Sequence, residues 1–198
     1  MNLAYGRIWH NNIGEGYADD GGGSASKSFT IESYVVEAGG YYLSANSSFQ
    51  ELMELVELQD VRGVDFAQLQ EVNIDASLNI QKAISTYERI LELAEVTPYN
   101  GIVIDKLRGF DYEKFMDENG LNKVVFARVR DFLQKGDITG IFRKVHSDLK
   151  DISAMLEEIS AYISSDKMPN ISGIWKLNEK FAEASLFGSY VARVFSEV

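Results

Sequence analysis

The sequence predicts an all-α protein: an antiparallel four-helix bundle with short connecting helices between the two helix pairs and an irregular Gly-rich N-terminal arm. Three observations lead to this prediction. Apolar residues recur at helical spacing in four long segments, the links within each pair are short, and only two prolines interrupt 198 residues. Helices that each carry one apolar seam bury those seams against one another, as the helices of a bundle do.

The predicted arm covers residues 1–28. Six of the 16 glycines lie in its first 23 residues, and the run GGGSASKS at 21–28 has the composition of a loop. This run lacks the glycine that a phosphate-binding loop places before its lysine, so we predict no nucleotide site there. We expect Ser28 to cap the first helix, and residues 29–198 to form a single helical domain.

The first long helix is predicted at about 29–59. Gly39 and Gly40 also suggest a hairpin over 29–43, but three consecutive apolar residues, Tyr34 to Val36, break the alternation that a strand requires. Steps of three and four residues persist without interruption, and this regularity outweighs the cost of two glycines in a helix, about 1 kcal/mol each. The seam positions are Ile31, Val35, Ala38, Tyr42, Ala45, Phe49, Leu52 and Val56.

The same spacing predicts three further long helices, at about 66–97, 137–164 and 171–198. Pro98 ends the second of them, and the residues from Asn170 to Ser172 suit the N-terminal cap of the fourth. Many seam positions are small, which predicts close helix approach and disfavours a roomy internal cavity. These small residues are Ala38, Ala45, Ala76, Ala83, Ala94, Ala184 and Gly188.

The links at 59–65 and 165–170 are short, so each helix pair is predicted to be antiparallel. The segment between the pairs, residues 99–136, is too long for a simple loop and carries several apolar clusters. We therefore expect two or three short helices within residues 102–135.

Composition argues against most catalytic sites built on such a bundle. The chain has no cysteine and two histidines, which leaves no disulfide, thiolate nucleophile or zinc ribbon. Di-iron bundles use Glu-x-x-His pairs, whereas the residues three before His10 and His146 are Arg7 and Arg143. We predict no metal, no cofactor and no catalytic residue, and we lean towards a protein that is not an enzyme.

Two weaker candidates remain. His146 lies at the edge of the third apolar face, with Arg143 and Lys150 within one turn of it, and these three residues could form a polar site. Asn73 is the only polar residue of the second seam. A lone buried Asn usually fixes helix register, although it could also contact a ligand.

Charge is distributed unevenly along the chain. The net charge is −11, and residues 32–75 hold nine acidic residues and one basic residue. Residues 121–150 hold seven basic residues and three acidic ones. These two segments could pair within one chain, pair between subunits, or contact a partner. Nucleic acid is an improbable partner because phosphate contacts need clustered cations.

The leading functional prediction is a non-enzymatic interaction or scaffold module that self-associates. One alternative is a small-ligand-binding or hydrolytic bundle centred on His146. Another is a nucleic-acid-associated protein that uses residues 121–150. The sequence shows no signal peptide and no apolar run of membrane-spanning length, so we expect a cytoplasmic protein without membrane contact.

Overall fold

A computed structural model describes residues 24–63, 65–96 and 101–198. Within these ranges the secondary structure is entirely helical and contains no strand, which confirms the all-α prediction. Most of the predicted arm, residues 1–23, lies outside the described residues. No helix in the described ranges is long and apolar enough to cross a membrane.

The described residues form four long helices and three short ones. The long helices match the predicted segments closely, although the first begins at Ser24, inside the segment that we assigned to the arm. The three short helices occupy the stretch between the two long pairs. In chain order the helices are α1 (Ser24–Arg62), α2 (Phe66–Val96), α3 (Gly101–Gly109), α4 (Tyr112–Asn119), α5 (Lys123–Lys135), α6 (Ile138–Ile163) and α7 (Ile171–Phe195).

The seams predicted from spacing form the core. On α1, seven of the eight seam residues are buried and Tyr42 is half-buried, and Gly39 and Gly40 lie inside the helix. The structure therefore has a helix over the described part of 29–43, not a hairpin. The seams of α2, α6 and α7 are likewise buried apart from half-buried residues such as Phe66, Val145 and Ala184.

Side-chain caps define where the later helices start. Asp137 accepts a hydrogen bond from Gly140 N at 2.7 Å, and Asn170 accepts one from Ser172 N at 2.9 Å. Such caps satisfy backbone donors that have no partner inside the helix. The cap predicted near Asn170 is thus confirmed.

Contacts between side chains join neighbouring long helices. Lys82 of α2 lies over the Tyr41 ring of α1, and Lys180 of α7 pairs with Asp151 of α6 at 3.1 Å. The α1–α7 contact is made largely by side chains, such as the stacked rings of Phe49 and Phe181, whose centroids are 5.0 Å apart. Among the short helices, α5 packs on α6 and α7, and α3 and α4 pack on α5.

Candidate functional site

The candidate polar residues of α6 lie along its contact with α2. Side-chain hydrogen bonds join these helices: Gln81 Nε2 donates to Ser153 Oγ at 2.8 Å, and Ser164 Oγ, at the C-terminal cap of α6, donates to Gln70 Oε1 at 3.4 Å. His146 lies within the same contact. The polar residues along this edge therefore join two helices.

His146 faces a carboxylate of α2. Its side chain is 16% exposed, and its Nε2 atom lies 3.5 Å from Glu88 Oε1. The contact does not have hydrogen-bond geometry, and the buried Nε2 atom has no hydrogen-bond partner among the described residues. Protonation of the ring would give an ion pair with Glu88, which is itself exposed.

Arg143 and Lys150 share a face of α6 with His146, but they do not converge on it. The Arg143 guanidinium lies 3.6 Å from Glu95 Oε1, and both side chains are exposed. Lys150 is also exposed. The three predicted residues are thus aligned along one helix, and two of them face different carboxylates of α2. A ligand site centred on His146 stays a prediction.

Asn73 is fully buried between α2 and α6. Its Nδ2 atom donates to the carbonyl oxygen of Leu156 at 3.4 Å, which is long for such a bond. Its Oδ1 atom is buried and has no hydrogen-bond partner in the part of the chain that the structure describes. The amide therefore links the two helices weakly, as a register-fixing residue would, and leaves one polar atom unsatisfied.

A second polar cluster, which the sequence analysis missed, joins α6, α7 and α1. Both carboxylate oxygens of Asp148 accept hydrogen bonds from Lys144 Nζ, and the two side chains are only 12% and 25% exposed. The same ammonium lies 5.6 Å from the centre of the Phe187 ring. The four-residue spacing of Lys144 and Asp148 could have indicated this pair.

Tyr42 links this cluster to α7. Its hydroxyl donates to the carbonyl oxygen of Phe181 at 2.5 Å and lies 3.0 Å from Ser185 Oγ. Burial, together with the negative charge of Asp148, raises the pKa of Tyr42 to about 12, although the Ser185 contact acts in the opposite direction. Tyr42 therefore stays protonated well above neutral pH.

A partly enclosed cavity of about 60 Å³ lies among the four long helices. Its α1 and α7 walls hold mainly small side chains, and Tyr87 of α2 and Leu149 of α6 line it from the other side. Small residues were expected to bring the helices together, but between α1 and α7 they leave space instead. The small wall residues are Ala38, Gly39, Ala184, Ser185 and Gly188.

The size and lining of the cavity limit what it could hold. Pockets for cofactors and drug-sized ligands usually measure roughly 300–1,000 Å³, so this space is far smaller. Tyr87 is buried, its hydroxyl makes no hydrogen bond to a described residue, and burial raises its pKa. The cavity thus combines an apolar lining with few polar groups.

The cations of residues 121–150 pair with nearby carboxylates. Arg128 pairs with Glu183 and Arg130 with Glu113, while Arg143 faces Glu95 and Lys144 binds Asp148. None of these carboxylates belongs to the acidic segment 32–75. Four of the seven basic residues are therefore compensated locally.

The acidic segment itself faces solvent. Its carboxylates at Glu51, Glu54, Glu57, Glu71 and Asp75 are exposed, and none forms an ion pair with a described residue. The two oppositely charged segments thus do not neutralise each other through the side chains that the structure describes.

Within residues 24–63, 65–96 and 101–198, no group of three or more His, Asp or Glu side chains could hold a metal ion. No protein-family model matches the chain, and no curated protein or solved structure is significantly similar to it. The arguments about function consequently rest on the geometry and charge of its own residues.

Proposed function

We propose that this protein is a non-enzymatic interaction module that self-associates through its acidic side. The observation that carries the proposal is the solvent-exposed acidic segment, residues 32–75, whose described carboxylates lack cationic partners. Lys123, Lys135 and Lys150 are also exposed and form no ion pair with a described residue. A second copy could therefore supply cations to the carboxylates of the first.

The proposed architecture for this module is a closed antiparallel four-helix bundle preceded by an irregular arm. Contacts between α1 and α2, α2 and α6, α6 and α7, and α7 and α1 support closure of the four long helices. Rigid helices of this kind hold surface charges in fixed positions, which favours electrostatic selection of a partner.

The alternatives have less support. The cavity among the long helices is lined by Val145 and Leu149 of α6 but not by His146, which gives a ligand or hydrolytic site centred on this residue less support. A nucleic-acid role for residues 121–150 is weakened because four of their seven cations already contact carboxylates.

The test measures the mass of the full chain in solution by light scattering, at about 0.05 M and about 0.5 M salt. We expect a multiple of the 22.2 kDa chain at low salt and dissociation at high salt. The double variant Glu71→Lys/Asp75→Lys should shift the low-salt sample towards monomer. Glu157→Lys/Glu158→Lys, which changes the net charge equally outside the acidic segment, should not.

A monomer at every concentration and salt level would contradict self-association. Turnover of a nucleotide or nucleic-acid substrate that is abolished by His146→Ala would support the enzymatic alternative instead. Binding to duplex DNA or RNA that weakens steeply with salt would support the nucleic-acid alternative.

A further inference from the structure

Two large apolar side chains on α7 are exposed together. Trp175 is 50% exposed and Ile171 is 56% exposed. Residues four apart in a helix lie on the same side, so these side chains form one apolar patch. Exposed tryptophan is uncommon on a surface without partners, and Trp is enriched among the residues that dominate protein–protein binding energy.

A hydrogen bond between α1 and α7 places this patch beside the acidic segment. Gln50 Nε2 donates to Asn178 Oδ1 at 3.1 Å. Because the helices are antiparallel, one turn back from Asn178 reaches Trp175, while one turn forward from Gln50 reaches Glu54. The next turn brings Ile171 level with Glu57.

Three exposed carboxylates flank the apolar patch. Glu54 and Glu57 lie on the α1 side, and Glu179 follows Trp175 by one turn on α7. None of them forms an ion pair with a described residue. Two cations of α7 lie nearby: Lys180 contacts Asp151 of α6 at 3.1 Å, and Lys176 is one turn before it on that same side of α7, away from the patch. The surface therefore has an apolar centre and an acidic rim.

We propose that this surface, formed by Trp175, Ile171, Glu54, Glu57 and Glu179, binds a basic amphipathic helix of a different protein. The apolar face of such a helix covers Trp175 and Ile171, and its Lys and Arg side chains reach the carboxylates on the rim. Burial of the apolar pair provides affinity, while the rim charges speed association and select for cationic partners.

This inference rests on the proposed function and adds the chemistry of a second partner. It requires both the apolar centre and the acidic rim. A purely electrostatic contact would use the carboxylates alone, and the two modes therefore respond differently to substitution of Trp175.

The experiment titrates the full chain into a fluorescently labelled peptide of Lys and Leu arranged as an amphipathic helix, with anisotropy as the readout. A peptide of the same composition but with a scrambled order is the peptide control. We expect the amphipathic peptide to bind and the scrambled peptide to bind at least about tenfold more weakly. Trp175→Ala and Glu54→Lys/Glu57→Lys should each weaken binding about tenfold or more.

Two matched variants show whether the location matters. Leu78→Ala truncates an equally exposed apolar side chain on α2, and Glu157→Lys/Glu158→Lys reverses two exposed carboxylates on α6. Neither should change the affinity more than about twofold. Circular dichroism of every variant checks that the helical fold is intact.

Each outcome has a defined meaning. If the carboxylate reversal weakens binding but Trp175→Ala does not, the surface proposal is overturned while an interacting acidic segment remains supported. Equal binding of both peptides also overturns it. If neither peptide binds but the chain still self-associates in a salt-sensitive way, the surface proposal fails and the proposed function stands.

Discussion

The α2–α6 and α1–α7 contacts come from seams of the same spacing, yet they are built differently. The backbones of α2 and α6 run close together, and polar side chains such as Gln81 and Ser153 join them along their length. In contrast, α1 and α7 meet through a few large side chains. Phe49 stacks on Phe181, Tyr42 bonds to α7, and a cavity lies beside them.

The difference arises from where the large residues lie. Phe49 and Phe181 are fully buried and hold α1 and α7 apart, so the small residues further along cannot close the gap. Small seam residues therefore permit close approach only where no bulky neighbour sets the distance. Their number alone does not predict how tightly two helices pack.

Truncation of Phe181 should break the α1–α7 contact. Phe181→Ala removes the ring that stacks on Phe49, and we expect it to lower the free energy of unfolding by about 3–5 kcal/mol. Urea denaturation followed by circular dichroism measures this loss. Ile171→Ala, at an exposed position of the same helix, is the control and should change stability by less than about 0.5 kcal/mol. A loss below about 1 kcal/mol for Phe181→Ala would mean that the stack contributes little.

The two cavity tyrosines should respond differently to loss of the hydroxyl. Tyr42→Phe removes the hydrogen bond to the Phe181 carbonyl and the contact with Ser185 Oγ, and we expect a loss in unfolding free energy of about 1–2 kcal/mol at pH 7. Tyr87→Phe removes a hydroxyl that has no partner among the described residues and should be nearly neutral. Urea denaturation of both variants tests this, and equal losses would contradict the contrast.

Tyr42 also predicts a pH dependence. Its pKa is about 12 in the folded protein against 10.0 ordinarily, so the folded state retains a proton that the unfolded state loses. Stability should therefore fall as pH rises from about 10 to about 12, by on the order of 2 kcal/mol from this residue. In Tyr42→Phe this decline should be smaller, and an unchanged slope would contradict the assignment.

Asn73 forms only one long hydrogen bond across the α2–α6 contact. Asn73→Leu removes a buried oxygen for which the described residues provide no hydrogen-bond partner, and it replaces the amide with an apolar group of similar volume. We expect an increase in unfolding free energy of about 1 kcal/mol. Asn73→Ala, which leaves a cavity, should instead be destabilising. Loss of stability with Leu would show that the bond to Leu156 is stronger than its length suggests.

The smallest predicted effects lie at the first turns of α6 and α7. Gly140 and Gly173 occupy equivalent positions three residues after the capping residue. A Cβ at Gly140 would lie 2.1 Å from Asp137 Oδ2, whereas one at Gly173 would meet nothing within 4 Å. Gly173→Ala should raise the unfolding free energy by up to about 1 kcal/mol, because alanine favours the helix more than glycine does. Gly140→Ala should give no such increase, because its methyl group would displace the capping side chain of Asp137. Thermal unfolding compares the two, and equal shifts would contradict the argument.

Spacing along the chain was enough to predict the helices, their buried faces and the cap at Asn170, since these depend on residues within a few turns. Contacts across helices were harder to predict. Lys144 and Asp148 are four residues apart and could have been paired from the sequence. Their proximity to Tyr42 depends on how α1 and α6 are aligned, and no local pattern encodes that alignment.

In the candidate site, too, local spacing predicted the features within one helix but not the contacts between helices. Arg143, His146 and Lys150 were expected on one side of α6, as their spacing requires. Glu88 and Glu95, which lie opposite two of them, could not be identified before the α2–α6 alignment was known. The cavity likewise depends on the separation of α1 and α7, which Phe49 and Phe181 set from opposite helices.

The cavity between α1 and α7 adds to the volume of the folded chain a space that no protein atom occupies. Unfolding removes any part of that space that water cannot enter in the folded state, so the total volume of protein and water falls when the helices separate. Hydrostatic pressure therefore favours the unfolded state, and the volume change scales with the void that is lost. We therefore expect pressure to weaken the α1–α7 contact, which borders the cavity, more than the closely packed α2–α6 contact.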